Sequence, residues 1–353
     1  MIESHYIQTA DLKVHYLTCG PNDGPPVVFI HGFPQTSHQW RHQLQACATA
    51  GFRAYAPDNR GFGRTDKPRV RISRALLGDD VVRFIDAVGI EKCHLVGHDW
   101  GGIIAFKAAI DHQTRFQSIS LLDTLCTVWS PMAIHGYWFK ALGYAERFFE
   151  NHAADFIKVL FGGADAEVLG SMPESPWPIP VGIRPQPEWI TTVDLDHYID
   201  SFNDPDVWFH AIQYYRYGLP FHRVAASENA THGETFVALD EAEVGAIWLH
   251  DGTMFSSPGY TTDLGPVFYD YGPEDRHKRF SAPALWMYGN YLGGNGDKPE
   301  GHPVGPTGNP FVDQFPRYFP DLRSRSVNAG HFLGEESPEF ISATLVDFFN
   351  GAI

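Results

Sequence analysis

The sequence lacks a long apolar run: no stretch approaches the roughly 18 consecutive apolar residues that a membrane-spanning helix requires. Its first residues, MIESHYIQTADLKVHYL, also lack the basic segment followed by an apolar segment that marks a secretory signal. We therefore expect a cytoplasmic protein with no membrane partner.

Basic residues are scarce in the chain. It has 26 lysines and arginines against 42 aspartates and glutamates, which gives a formal net charge of −16 at pH 7. Nucleic acids and anionic membranes bind through basic surfaces. We therefore expect no nucleic acid as a partner, and the composition leaves the oligomeric state open, a homo-oligomer included.

Cysteine is rare as well, and its spacing contains no C-x-x-C pair. The four positions are Cys19, Cys47, Cys93 and Cys126. Unpaired cysteines usually lie in protein interiors, so we expect buried free thiols here. We expect neither a metal nor a cofactor.

The sequence does contain a regular alternation of short apolar runs and helical patterns. Its 353 residues are enough for one large α/β domain with an inserted subdomain. Runs rich in β-branched and aromatic residues predict strands at 27–31, 52–58, 93–99, 118–123, 284–289 and 324–328. Such strands, with helical patterns between them, predict a mostly parallel sheet with helices on both faces.

A long insertion interrupts this pattern. Residues 130–222 are rich in aromatics and include SMPESPWPIPVGIRPQPEW, a proline-dense stretch that favours loop or extended chain. The segments 223–280 and 290–310 are too long for ordinary connections, and the second has a Gly/Pro-rich loop composition. After the last predicted strand, residues 337–349 predict a closing helix.

The segment HLVGHDWGGIIAF, residues 94–106, passes from an apolar strand through a glycine-flanked turn into an apolar helix. Within it, GHDWG fits the G-x-nucleophile-x-G pattern, whose glycines permit a tight turn that exposes the central side chain. An aspartate after a strand is also a good helix N-cap. The motif alone leaves both roles open for Asp99.

Two other segments supply groups that a nucleophile at this turn needs. HGFP, residues 31–34, follows a predicted strand and can aim the Phe33 amide at developing negative charge, with the Trp100 amide as the second donor. His31, which begins this segment, is a candidate for contact with the substrate. His331, in NAGHFLGEESPEF, follows the final strand and is the candidate base.

These segments resemble the α/β-hydrolase superfamily, and within it the branch with an aspartate nucleophile: epoxide hydrolases, haloalkane dehalogenases and fluoroacetate dehalogenases. The resemblance rests on HGFPQTSHQWRHQL, APDNRGFGRTDKP, VGHDWGG and AGHFLGEESPE. It implies an α/β-hydrolase core domain at 1–125 and 280–353. It also implies that residues 126–279 hold a mainly helical cap, together with an additional insertion.

The resemblance explains why an aspartate occupies the turn. Serine suits attack at a carbonyl group, whereas a carboxylate suits displacement at an sp³ carbon, which leaves an alkyl ester on Asp99. His331 then activates the water that hydrolyses this ester, and it needs a carboxylate partner. The family places that acid either after the strand that follows the nucleophile, where this chain has Asp123, or after the penultimate strand, where the expected acid is displaced to Asp297 in a glycine-rich loop. We favour Asp123, which directly follows a strand.

The leaving group distinguishes the members of this branch. Epoxide hydrolases protonate the ring oxygen with lid tyrosines, and Tyr215 in AIQYYRYGLPF resembles the second of these. In HGYWFKALG, Tyr137 favours an epoxide and Trp138 favours a halide. Fluoroacetate dehalogenases have an arginine where this chain has Trp100, so haloacids are disfavoured as substrates.

We therefore expect an epoxide hydrolase that converts a small apolar epoxide to a diol. The alternatives are a haloalkane-type dehalogenase with the same ester mechanism and a non-catalytic, ligand-binding member of the fold. The set of Asp99, His331 and Asp123 argues against the non-catalytic alternative.

Overall fold

The computed structural model describes residues 1–129, 136, 139–162, 187–225, 235–238, 261–262, 265–266, 269–289 and 310–353. The chain divides into two units. The first unit comprises Met1–Arg69, Arg74–Cys126 and His277–Ile353. The second unit comprises Val70–Ser73 and Thr127–Arg276.

An eight-stranded sheet forms the centre of the first unit. Its strands are β1 (Glu3–Gln8), β2 (Lys13–Cys19), β3 (Pro26–Ile30), β4 (Arg53–Pro57), β5 (Cys93–His98), β6 (Phe116–Leu122), β7 (Ala284–Gly289) and β8 (Leu322–Val327). They lie in the order β1-β2-β4-β3-β5-β6-β7-β8. Every residue of β5 and β7 is buried, as expected for central strands covered on both faces.

The predicted mostly parallel sheet is confirmed. The six strands from β4 to β8 in this order pair in parallel, and each predicted strand falls on one of them. β1 and β2 pair antiparallel with each other, and β2 pairs antiparallel with β4. The apolar runs did not predict β1 because five of its six residues are exposed.

Helices cover both faces of this sheet. Within the described residues the α-helices are α1 (Arg41–Thr49), α2 (Arg74–Ala87), α3 (Trp100–Asp111), α4 (Tyr144–Ile157), α5 (Thr192–Phe202), α6 (Pro205–Gly218), α7 (Pro310–Tyr318), α8 (Leu333–Glu336) and α9 (Pro338–Phe349). Val27, Phe29 and Val96 share a hydrophobic cluster with side chains of α1 and α9. Because side chains alternate along a strand, α3, which contacts β3, β5 and β6, covers the opposite face together with α2.

The second unit contains three of these helices, α4, α5 and α6, which pack through aromatic side chains. The Phe149 ring on α4 lies 5.2 Å from Phe202 on α5 and 6.4 Å from Trp208 on α6, measured between ring centroids. This unit also has a four-stranded sheet in the order Val128–Trp129, Tyr269–Asp270, His222–Ala225 and Thr235–Ala238. The sequence patterns did not predict these short strands.

All four cysteines are buried and free, as predicted. Across the described residues, no helix has both the length and the apolar character that crossing a bilayer requires.

Candidate active site

A tight turn at the end of β5 presents Asp99 at the start of α3. Asp99 has φ 51° and ψ −122°, and a positive φ at a residue other than glycine costs about 1–3 kcal/mol. The flanking glycines are required by close contacts. A Cβ atom on Gly97 would lie 2.2 Å from the Gly101 carbonyl oxygen, and one on Gly101 would lie 2.0 Å from the Ile30 carbonyl oxygen.

Backbone amides bind the Asp99 carboxylate. The Phe33 N–H donates to Oδ1 at 2.7 Å, and the Trp100 N–H also donates to the carboxylate. The side chain makes no hydrogen bond of the helix-capping kind, so the structure does not give it the capping role. Burial favours the neutral acid, but the hydrogen bond and charge of His331 outweigh it and lower the pKa of Asp99. The carboxylate is therefore ionised at neutral pH.

His331 lies between two carboxylates. It follows β8, and its Nδ1 donates to Asp123 Oδ2 at 2.6 Å. Its Nε2 lies 3.5 Å from Asp99 Oδ2, longer than an ordinary hydrogen bond. Asp123 directly follows β6, where it has φ 39° and accepts a hydrogen bond from the Gly289 N–H at 3.2 Å. The rival acid, Asp297, lies outside the described residues.

The two carboxylates control the charge of His331. Burial disfavours the imidazolium, but the hydrogen bonds and charges of Asp123 and Asp99 outweigh burial and raise the pKa of His331 to about 10. Because Asp123 accepts from Nδ1, the neutral ring carries its proton on Nδ1. Nε2, which faces Asp99, is then the nitrogen that can accept a proton. A change in the charge of Asp99 therefore changes the proton affinity of His331.

A buried network links the three segments of the site. Gln39 Oε1 accepts from the Gly32 N–H at 3.0 Å, and Gln39 Nε2 donates to His98 Nδ1 at 2.9 Å. His98 Nε2 then donates to the His331 carbonyl oxygen at 2.7 Å. Burial and the neighbouring His331 charge lower the pKa of His98 to about 3, so the ring is neutral and can both donate and accept. No pattern in the sequence indicated this network, although His98 lies inside the GHDWG motif.

His31 supports the loop that carries Phe33. Its side chain is fully buried, Nδ1 donates to the Gly32 carbonyl oxygen at 3.0 Å, and Nε2 accepts from the Asn59 N–H at 2.9 Å. Both ring nitrogens are thus engaged by the backbone. We assign His31 to holding this loop rather than to contact with the substrate.

A second contact joins residues 35–41 to α8, the helix that follows His331. The buried Glu335 carboxylate on α8 accepts hydrogen bonds from Arg41 and from Gln35. Gln35 and Arg41 precede Glu335 by 300 and 294 residues in the sequence. No local pattern in the sequence indicates such a contact.

Tyr215 lies near the end of α6 in the second unit. Its buried ring packs against Phe139 and Trp129, with centroids 4.6 and 6.1 Å apart. The buried Lys140 ammonium donates to the carbonyl oxygens of Tyr215 and Arg216, at 2.6 and 3.2 Å, and so fixes the end of this helix. The other lid candidates, Tyr137 and Trp138, lie outside the described residues.

The assembled groups suit nucleophilic catalysis by a carboxylate. Asp99 is ionised, the Phe33 amide donates to its Oδ1, and an imidazole oriented by Asp123 faces its Oδ2. Within the described ranges, no group of three or more His, Cys, Asp or Glu side chains is placed to hold a metal ion.

Known proteins share both the sequence and the fold. A family model described as alpha/beta hydrolase fold matches residues 25–338. Epoxide hydrolase 3 of Siraitia grosvenorii is 33% identical over 234 residues, which are 61% of this chain and 72% of that protein. Epoxide hydrolase A of Mycobacterium tuberculosis is 28% identical over 229 residues, 56% of this chain and 68% of that protein.

Solved structures give the same fold. Epoxide hydrolase I of potato, Solanum tuberosum, superposes with a TM-score of 0.65 at 21% identity and covers 99% of this chain and 100% of its own. An epoxide hydrolase of Vigna radiata gives a TM-score of 0.66 at 21% identity, with 99% and 98% covered. With the turn at Asp99, the family match over 25–338 shows that this chain belongs to the α/β-hydrolase family.

Proposed function

We propose that this protein is an epoxide hydrolase that opens a small apolar epoxide to a diol through an ester on Asp99. One observation carries the chemistry: an ionised carboxylate, rather than a serine hydroxyl, occupies the nucleophile turn opposite His331. The identity to proteins named epoxide hydrolases selects the epoxide among the electrophiles that such a carboxylate can attack.

The first step is attack at a ring carbon. Oδ1 of Asp99 accepts from the Phe33 N–H, whereas Oδ2 faces His331, so we assign the attack to Oδ2. A C–O bond forms to Oδ2 as the ring C–O bond breaks. The released oxygen takes a proton from an acid, which we assign to Tyr215, with Tyr137 as the second acid, on the resemblance to epoxide hydrolases. Oδ1 becomes the ester carbonyl oxygen and already lies beside its amide donor.

The second step hydrolyses the ester. Neutral His331 takes a proton from water, and the water oxygen attacks Cγ of Asp99. The Phe33 and Trp100 amides stabilise the negative charge that develops on Oδ1. Collapse expels the diol oxygen, which takes the proton from His331, and leaves Asp99 as a carboxylic acid. The acid proton then passes to His331, whose pKa is raised again, and this restores the Asp99 carboxylate and the protonated imidazole of the free enzyme.

The charge on Asp99 coordinates the two steps. Its negative charge contributes to the raised pKa of His331 in the free enzyme. Ester formation removes this charge, so the pKa of His331 falls and the imidazole releases a proton to become a base. The proton that His331 releases replaces the one that Tyr215 gives to the ring oxygen.

The first prediction concerns the leaving group. Aryl and alkyl epoxides should be converted to diols, and Tyr215→Phe should lower the rate by roughly 10- to 1000-fold because one positioned acid is lost. Tyr198→Phe, at another buried tyrosine of the same unit, is the matched control and should keep its activity. Chromatography of the diols gives the rates. Release of halide from haloalkanes, without diol from any epoxide, would overturn the assignment in favour of a dehalogenase.

The second prediction concerns the carboxylate partner of His331. Asp123→Asn removes the charge that stabilises the His331 cation, so ester hydrolysis should slow by roughly 100-fold or more, while ester formation changes little. Intact-mass spectrometry should then show the covalent adduct accumulating. Asp297→Asn is the matched comparison and should turn over normally. The opposite pattern in the two variants would transfer the role to Asp297.

The third prediction is a pH dependence of ester hydrolysis. Only neutral His331 acts as the base, and Asp123 still raises its pKa above the ordinary value of about 6.5 after Asp99 is esterified. The decay of the adduct in a single turnover should therefore slow as the pH falls through that raised pKa. Ester formation should stay constant over the same range because the pKa of Asp99 is lowered. An adduct decay that is flat down to about pH 5 would exclude His331 as the base.

A further inference from the structure

Glu336 binds the main chain on both sides of His331. Its Oε2 accepts from the Gly330 N–H at 2.7 Å, and its Oε1 accepts from the Phe332 N–H at 2.8 Å. Both oxygens of one carboxylate are thus used by the residues that flank the candidate base. Hydrogen bonds to a carboxylate are short and roughly twice as strong as those between neutral groups.

The sequence around His331 is adapted to this contact. A Cβ atom on Gly330 would lie 3.0 Å from both Glu336 oxygens, so a larger residue would crowd the carboxylate. Glu336 is the last residue of the four-residue helix α8, and this single turn brings its side chain back to the Gly330 and Phe332 amides. The His331 carbonyl oxygen accepts from His98, so consecutive backbone groups around the base are each bound.

The position of the His331 ring depends on this backbone. Nδ1 lies 2.6 Å from Asp123, while Nε2 must stay within one water molecule of the Asp99 ester. A displacement of about 1 Å in such a site can lower a rate by about 100-fold. The Asp123 hydrogen bond fixes Nδ1, and the His98 ring packs against the His331 ring with centroids 4.8 Å apart, so the backbone on either side of His331 sets where these contacts hold the ring.

We propose that Glu336 is a positioning residue for the second half-reaction: its carboxylate clamps the Gly330 and Phe332 amides and thereby holds His331 in line with the Asp99 ester. The inference rests on the proposed two-step function. Ester formation uses Asp99 and an acid and does not need His331 as a base. Loss of the clamp therefore slows ester hydrolysis and spares ester formation.

Two substitutions separate the clamp from the mere charge of Glu336. Glu336→Gln keeps the shape but puts an NH₂ group against one of the two N–H donors, so one hydrogen bond is lost. Glu336→Asp keeps the charge but retracts the carboxylate, which then cannot reach both amides. Glu339→Gln, at an exposed position on α9, removes the same charge nearby and serves as the control.

The test measures the two half-reactions separately with styrene oxide, by quenched-flow mixing and intact-mass spectrometry. Both Glu336 variants should form the adduct at the wild-type rate and hydrolyse it roughly 10- to 100-fold more slowly. Glu339→Gln should match the wild type in both steps. Equal slowing of both steps, or wild-type hydrolysis in Glu336→Asp, would overturn the clamp.

A spectroscopic measurement tests the clamp without any substrate. The Nδ1 proton in the 2.6 Å bond to Asp123 should give a far-downfield proton NMR signal that is absent from His331→Gln. This signal should shift or disappear in both Glu336 variants and persist in Glu339→Gln. An unchanged signal in the Glu336 variants would refute the proposal. If the wild type forms neither adduct nor diol, the proposed function fails, and this signal alone decides the role of Glu336.

Discussion

The positive φ of Asp99 is the constraint on which the rest of the site depends. It turns the chain sharply between β5 and α3, and the close approach of Gly101 to the Ile30 carbonyl leaves no room for a side chain. Thr124 Oγ1 donates to the Asp99 carbonyl oxygen at 2.5 Å, so the end of β6 also fixes this residue. The strain is offset by packing, and in return the carboxylate meets preorganised amide donors.

Charge links the nucleophile to the base. Asp99 and Asp123 both favour the imidazolium form of His331, which suits the free enzyme, in which Asp99 must remain ionised. Esterification removes the charge of one of these carboxylates, so the pKa of His331 falls and the imidazole can lose the proton that it holds in the free enzyme. One histidine can therefore stay protonated before attack and act as a base afterwards, without a change in fold.

Local sequence patterns predicted the parallel strands and named Asp99 and His331 as candidates, whereas Asp123 was named through the family resemblance. The strand runs and the GHDWG turn are local features, and the order of nucleophile, acid and base follows from the fold. The contacts that hold these groups could not be predicted in the same way. His98 and the His331 carbonyl are 233 residues apart in the chain, and they meet only because the parallel sheet places the carboxyl ends of β5 and β8 on the same side. The strand β1 was not predicted either, because most of its residues are exposed and it has no apolar run.

In this mechanism Asp99 itself attacks carbon, and a single turnover in oxygen-18 water shows whether it does. With enzyme in excess, the oxygen transferred to the diol comes from the Asp99 carboxylate, because water attacks the ester carbonyl carbon. Attack by Asp99 should give unlabelled product and heavy oxygen in the peptide that contains Asp99. Labelled diol from the first turnover, with no label in that peptide, would mean direct attack by water and would contradict the covalent mechanism.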